Sequence, residues 1–306
     1  MAHPIFVMAT VTTVAALAVW GMLLWQITPH GRRRAIATLL LLELFMSPAA
    51  FFGVRRPLLI APLEPILTQP TWDMGDWPIV RDVLRLCFAP LTEEPAKLLP
   101  WLLLLALGWP LRPTRRMTAA LAMAAGLGFA LGEIWLVAWL VAQSNDPKLA
   151  GLPWYAFGGF LGERLMTCVT HALFALPTVV LARRGWSWAV LGLAAGMALH
   201  LTCNAPIVLM HRRAFGWTTE TWGLLIQASL VLLTLGGLVM LLGAAIGRQA
   251  LRRVLSRRMR CPECGAIYRQ PLVWGVNCGL SRYERCGVCR KWHWVTLGNL
   301  APLDKR

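Results

Sequence analysis

The chain has 306 residues, of which 57% are hydrophobic and only 14% charged, and its mean hydropathy is +0.57. Soluble domains average about 45–50% apolar and about 25% charged residues, so this composition excludes a disordered chain and an ordinary soluble enzyme and is that of a membrane protein. The formal charge of +16 is uneven: residues 248–306 hold 13 Lys/Arg against 3 Asp/Glu, and five of the eight cysteines, so a small basic module follows a membrane domain.

A membrane helix needs about 20 mostly apolar residues. Seven stretches qualify: 5–27, 35–54, 80–108, 117–142, 157–182, 187–210 and 221–247. The first has no basic residue before it and no small-residue cleavage pattern after it, so it reads as a retained span rather than a signal peptide. Residues 55–79 carry Pro57, Pro62, Pro65 and Pro70 and read as a loop that re-enters the membrane or lies on its surface. Basic clusters follow spans 1, 3, 5 and 7: Arg32, Arg33 and Arg34; Arg112, Arg115 and Arg116; Arg183 and Arg184; then Arg248, Arg252, Arg253, Arg257, Arg258 and Arg260. These are alternate loops on one side, which the positive-inside rule makes the cytoplasm. The opposite loops hold fewer basic residues, Arg55 and Arg56 among them. Trp77, Trp109, Trp154, Trp186 and Trp222 fall near span ends, where an aromatic belt would place them. The expectation is an all-α polytopic bundle of about seven spans (residues 1–247), a basic linker (248–260) and a zinc-ribbon-like cytoplasmic module (261–306).

Ionisable residues inside spans cost at least about 2.5–3.5 kcal/mol each at the helix centre, so each is a functional candidate. Glu43, Glu93, Glu94, Lys97, Glu133, Glu163, Arg164, His171 and His200 all fall within the spans. Five carboxylates against two permanent cations cannot all be neutralised by pairing, so an internal polar site follows. At about 1.5 Å per residue, Glu93, Glu94 and Glu133 lie roughly 14 Å, and His200 roughly 15 Å, from the outer ends of their spans. His171 comes out roughly 20 Å down, one turn deeper. Asn204 is one turn from His200 on the same face. Glu93 and Lys97 have the i,i+4 spacing of a helical ion pair. Pro95 interrupts the helix beside them, or Thr92 caps a new one. Glu43 reads as a structural partner or interface residue, Glu163 and Arg164 as an orienting ion pair, and Cys87, Cys168 and Cys203 as packing residues. Gly126, Gly128 and Gly132 read as small residues for close helix packing.

In chain order, Glu93-Glu94-x-x-Lys97, Gly126-Leu-Gly-Phe129-x-x-x-Glu133, Arg164 with Thr170-His171-Ala-Leu-Phe174, and His200-x-x-x-Asn204 resemble the PrsW-type intramembrane proteases. These belong to the superfamily of the CAAX prenyl endopeptidases and bacterial Abi proteins, and the resemblance covers about residues 80–210. It implies a glutamate-dependent peptidase in a bacterial cytoplasmic membrane. Its substrate would be a membrane protein or membrane-anchored peptide, and no cofactor would be required at the membrane site. By residue, Glu93 or Glu94 would activate water, His200 and Asn204 match the pair that stabilises the oxyanion, and His171 matches a family histidine. Glu133 stands where the prenyl endopeptidase branch has His, and Leu98 where that branch has Arg, which favours the PrsW branch. Lys97 and Arg164 would support the acidic groups. Amide hydrolysis by itself asks for a base for water and donors for the oxyanion, which the same residues supply. A zinc-dependent metalloprotease is the alternative within the enzyme class, although no His-x-x-x-His pair is present. Proton-coupled transport and non-catalytic binding or immunity are the competing classes.

In the tail, Cys261-x-x-Cys264-Gly and Cys286-Gly-x-Cys289 have the pairing of a structural zinc site, and the glycines suit zinc knuckles. Cys278 and His293 are spare. The basic run 248–260 suits contact with anionic lipid of the bilayer. Tyr268, Trp274, Trp292 and Trp294 leave a protein partner or nucleic acid open for the module.

Overall fold

The computed structural model describes residues 3–68, 77–106, 113–144, 146, 149, 151–211, 216–247, 258–269, 275–278, 281–296 and 299. Six helices among them are long and apolar enough to cross a membrane: α1 (Ile5–Ile27), α2 (His30–Glu64), α5 (Arg115–Gln143), α6 (Trp154–Ala182), α7 (Trp186–Met210) and α8 (Thr219–Ile246). Between α2 and α5 lie α3 (Trp77–Ala96) and α4 (Leu99–Ala106). The chain is a multi-pass integral membrane protein.

The third expected span is therefore two helices. Pro95 has no N–H to donate, and the backbone tightens just after it: Leu98 N bonds Pro95 O at 3.0 Å, and the regular ladder resumes at Leu102 N to Leu98 O, 2.8 Å. Thr92 does not cap a new helix. It lies inside α3, where its hydroxyl bonds back to Phe88 O at 2.7 Å.

The expectation for residues 35–68 is corrected, while 69–76 lie outside the described residues. The second span does not end at residue 54 in a loop; α2 runs through 35 residues, and the chain stays helical to Thr68. Part of it, Ala50–Ile60, has wide turns, with Pro57 inside and Ala61 N bonding Arg56 O. Such widened turns gather at functional sites because they redirect side chains out of the regular helical register. Here they carry Arg55.

α5 is the hub. Thr114 caps it, accepting from Met117 N at 3.3 Å, and nearly every residue from Met117 to Gly132 is buried. Its three glycines are what allow this. A Cβ on Gly126 would collide with the backbone of His171 and Ala172 in α6, one on Gly128 with the carbonyl of Leu40, and one on Gly132 with the carbonyl of Leu44 in α2. Backbone contact replaces side-chain packing at these crossings. Trp154 and Trp186 are exposed as a belt requires, whereas Trp222 is 2% exposed and packs against Trp217 at 5.0 Å. Trp109 and Trp274 lie outside the described residues.

The tail forms a hairpin of β1 (Arg258–Arg260) and β2 (Ile267–Arg269) and an antiparallel sheet of β3 (Gly275–Cys278), β4 (Ser281–Arg285) and β5 (Trp292–Val295), in order β3-β4-β5. It touches the bundle where Gln26 Nε2, in the last turn of α1, donates to Cys278 O at 2.7 Å. Of the linker, residues 248–257 lie outside the described residues.

Candidate active site

Five segments bring their charged residues to one place. Each is too costly to face lipid, and the close crossings at Gly126 and Gly128 bring α2, α5 and α6 within side-chain reach of α3.

Glu94 is the centre. Its Oε1 accepts from Lys97 Nζ at 2.5 Å and lies 2.7 Å from His200 Nδ1. Lys97 Nζ also sits 2.8 Å from His171 Nδ1, and His171 Nε2 lies 3.0 Å from Glu133 Oε2. Glu133 Oε1 pairs with Arg164 at 3.2 Å, and Arg164 pairs with Glu163 at 2.8 Å. The expected i,i+4 pair of Glu93 with Lys97 is not formed: Lys97 keeps the helical register, its N–H bonded to Glu93 O at 3.0 Å, but its ammonium pairs with Glu94, and Glu93 pairs with Arg55 instead. Arg55 also donates from Nε to Thr92 Oγ1 at 3.1 Å.

These partners fix the imidazole protons. An ammonium has only donors, so His171 Nδ1 must accept from Lys97 and Nε2–H must donate to Glu133. For His200, Nδ1–H donates to Glu94 Oε1, which leaves Nε2 with its lone pair, 3.9 Å from Glu93 Oε2. That oxygen is buried and makes no hydrogen bond among the described residues. Aromatic rings complete the setting. Phe174 stacks on His200, with centroids 4.8 Å apart at 12°, and Phe129 lies 4.7 Å beneath Lys97 Nζ, where its π face favours the cation.

A cavity of about 430 Å³ opens beside this network, lined by Arg55, Glu93, Glu133, Glu163, Arg164, His171 and His200, with Asn204 one turn beyond His200. Every expected site residue of the membrane domain is thus in the network or on its cavity, with Glu94 and Lys97 buried behind the wall. Cys203 also lines the cavity, contrary to its expected role as a packing residue. Glu43 stays outside, buried against Gly128, with neither oxygen hydrogen-bonded among the described residues. Sequence reasoning missed Arg55, which it placed in a loop. The signal was the charge deficit: five carboxylates and two cations left a positive charge to find, and Arg55 supplies it.

His171 has both nitrogens engaged, Glu133 both oxygens, and Glu94 Oε1 is shared by Lys97 and His200. Among the described residues, no three His, Cys, Asp or Glu of the membrane domain bring ligand atoms close enough together to hold a metal, whereas catalytic zinc takes three protein ligands. The membrane site as arranged does not fit a catalytic metal.

Among the described residues, one group of three or more His, Cys, Asp or Glu could hold a metal ion: Cys261, Cys264, Cys286 and Cys289, whose sulfurs all lie within 4.8 Å of one another. The sulfur separations of 3.7 Å (Cys261–Cys289) and 3.9 Å (Cys264–Cys286) match the roughly 3.8 Å edge of a tetrahedron with Zn–S bonds of about 2.3 Å. Backbone N–H groups of Cys264, Val288 and Cys289 point at Cys261 or Cys286 sulfur at 3.3–3.4 Å. Burial raises the Cys286 thiol, but the Cys289 and Val288 N–H groups outweigh it and bring it down to about 7. The two halves are alike, each a strand, a cysteine turn and a strand. The left-handed residue that ends each turn is Gly265 (φ 72°) in one and Arg290 (φ 60°) in the other, while Gly287 lies within the second turn. Behind the cluster, burial and the Glu284 hydrogen bond (2.5 Å) hold the Tyr268 phenol above its ordinary value, and Tyr268 lies 3.1 Å from His293. Cys278 lies apart, and His293 Nδ1 lies 4.0 Å from Cys261 sulfur.

A family model described as PrsW family intramembrane metalloprotease matches residues 9–234, which takes in α2 and Arg55 as well as the 80–210 core. No curated protein and no solved structure matches the chain.

Proposed function

This chain belongs to the PrsW family of intramembrane proteases, and from that premise we propose a glutamate-type mechanism in which Glu93 is the general base. The observation that carries it is a pair of atoms on two cavity-lining residues: Glu93 Oε2, buried without a hydrogen bond among the described residues, and His200 Nε2, 3.9 Å away. A water at about 2.8 Å from each can bridge them. Glu93 takes a proton from this water as its oxygen attacks the carbonyl carbon of the scissile amide. The carbonyl oxygen becomes an oxyanion, for which the Asn204 amide is a donor and His200 a second one when it carries a proton, its charge balanced by Glu94. Glu93 then passes the proton to the leaving nitrogen, the C–N bond breaks, and an acid and an amine are released. Glu94 positions His200 rather than acting as the base, because it does not line the cavity and its Oε1 holds Lys97 and His200.

Arg55, Lys97 and Arg164 allow four carboxylates to sit together, since Arg55 and Lys97 each pair with one and Arg164 pairs with two. The substrate class is a membrane-embedded or membrane-anchored protein, and the cysteine module, holding structural zinc, lies in the cytoplasm. The test compares the membrane proteome of cells carrying the wild type with that of cells carrying Glu93→Gln at equal expression. A fragment made by the wild type and absent with Glu93→Gln is expected. Identical fragments in both would remove Glu93 as the base.

A further inference from the structure

One face of the module's three-stranded sheet has no role in the zinc cluster. Glu284, His293 and Val295 point to the buried face. The other face carries Val276, Tyr283, Trp292 and Trp294, because the register sets Val276 opposite Tyr283, Tyr283 opposite Trp294, and Trp292 opposite Arg285 two positions on. The Tyr283 ring stacks on Trp292 with centroids 5.4 Å apart and lies 5.3 Å from Trp294. The two tryptophans are 54% and 53% exposed, and Val276 is 61% exposed. A contiguous apolar patch of this kind marks an interaction surface.

Its place in the fold says which. The β3–β4 turn meets the end of α1 through the Gln26–Cys278 hydrogen bond. Trp294 lies about 7 Å along the strands from Ser281 and two strand spacings, about 10 Å, across from Cys278, and Trp292 lies about 7 Å farther along. At the same end of the bundle, Arg33 lies 3.9 Å over the Trp25 ring and Arg184 5.2 Å over the Trp188 ring. The sheet face therefore continues a rim of tryptophan and arginine, the residue chemistry of the membrane–water boundary. Charge agrees: the described residues from 258 to 296 include seven Lys/Arg against two Asp/Glu.

We propose that the Tyr283–Trp292–Trp294 face docks on the anionic headgroup layer of the bilayer that holds the spans, so that the module lies on the membrane instead of projecting into water.

The full chain is reconstituted in nanodiscs of zwitterionic lipid with or without phosphatidylglycerol. Emission of the wild type minus that of Trp292→Phe/Trp294→Phe isolates the two tryptophans, and equal zinc content shows that the module is folded in both. In anionic discs the difference emission is expected to be lost when the lipids are brominated near the headgroup end of their chains, and to resist aqueous iodide. Quenching by iodide but not by brominated lipid would place the face in water and overturn the proposal. Shielding from both quenchers would mean that protein covers it, and would overturn it equally. The same lipid quenching in purely zwitterionic discs would overturn the choice of anionic lipid.

Discussion

Arg55 and Glu93 form an ion pair across two helices, so that one oxygen of the candidate base is held by a guanidinium while the other is buried with no hydrogen bond among the described residues. Arg55 also donates to Thr92, the residue before Glu93, and the two bonds together set the orientation of the carboxylate.

That arrangement makes Arg55 a positioning residue. Arg55→Gln should lower kcat by roughly 10²-fold with little change in KM, the scale of a misplaced reacting group. Arg55→Lys should recover only part of this, because an ammonium lacks the planar fork that reaches both partners. Single-turnover cleavage of a reporter substrate in proteoliposomes measures both. Full activity of Arg55→Lys would show that charge alone is needed.

Lys97 is 1% exposed and is shared by Glu94 and His171. Lys97→Met should therefore destabilise the bundle by about 3–5 kcal/mol, the cost of stranding a buried charge. Adding Glu94→Gln should restore part of that stability without restoring activity. Unfolding in mixed micelles reads the energies, and equal stability of wild type and Lys97→Met would contradict the pairing.

His200→Ala and Asn204→Ala should each reduce turnover by about 10²–10³-fold, the scale of one oxyanion donor. His200→Ala should show the larger loss, since it also removes one of the two groups that hold the water. Turnover unchanged in Asn204→Ala would take that residue out of the mechanism.

Purified protein should contain one zinc per chain, and deletion of residues 261–306 should remove it. Elemental analysis of the truncated protein in detergent decides the matter. Stoichiometric zinc left in the membrane domain would revive the metalloprotease reading.

Much of this site was legible in the sequence because membrane burial makes charge conspicuous. Glu93, Glu94, Glu133, His171 and His200 stood out by their cost alone, and the kink at Pro95 by its missing N–H. Pairing was less legible. Spacing favoured Lys97 with Glu93, but i,i+3 and i,i+4 partners share a helix face, and Arg55, from another helix, takes Glu93 and leaves Lys97 to Glu94. Arg55 was hidden for a similar reason: four prolines suggested a loop, while tertiary contacts keep the segment helical with widened turns. In the module, cysteine spacing announced the cluster, but no spacing rule points to Arg290 as the left-handed residue.

The glycines of α5 bear on how any mutational survey of this protein must be interpreted. At Gly126 the neighbouring helix backbone occupies the volume that a methyl group would need. Saturation mutagenesis scored by activity would therefore find Gly126, Gly128 and Gly132 as intolerant as Glu93, although no hydrogen bond or charge depends on them. Intolerance at the glycines would appear as lost protein, and intolerance at Glu93 as normal protein without turnover. An abundance measurement run beside the activity screen separates residues that let helices meet from residues that act once they have met.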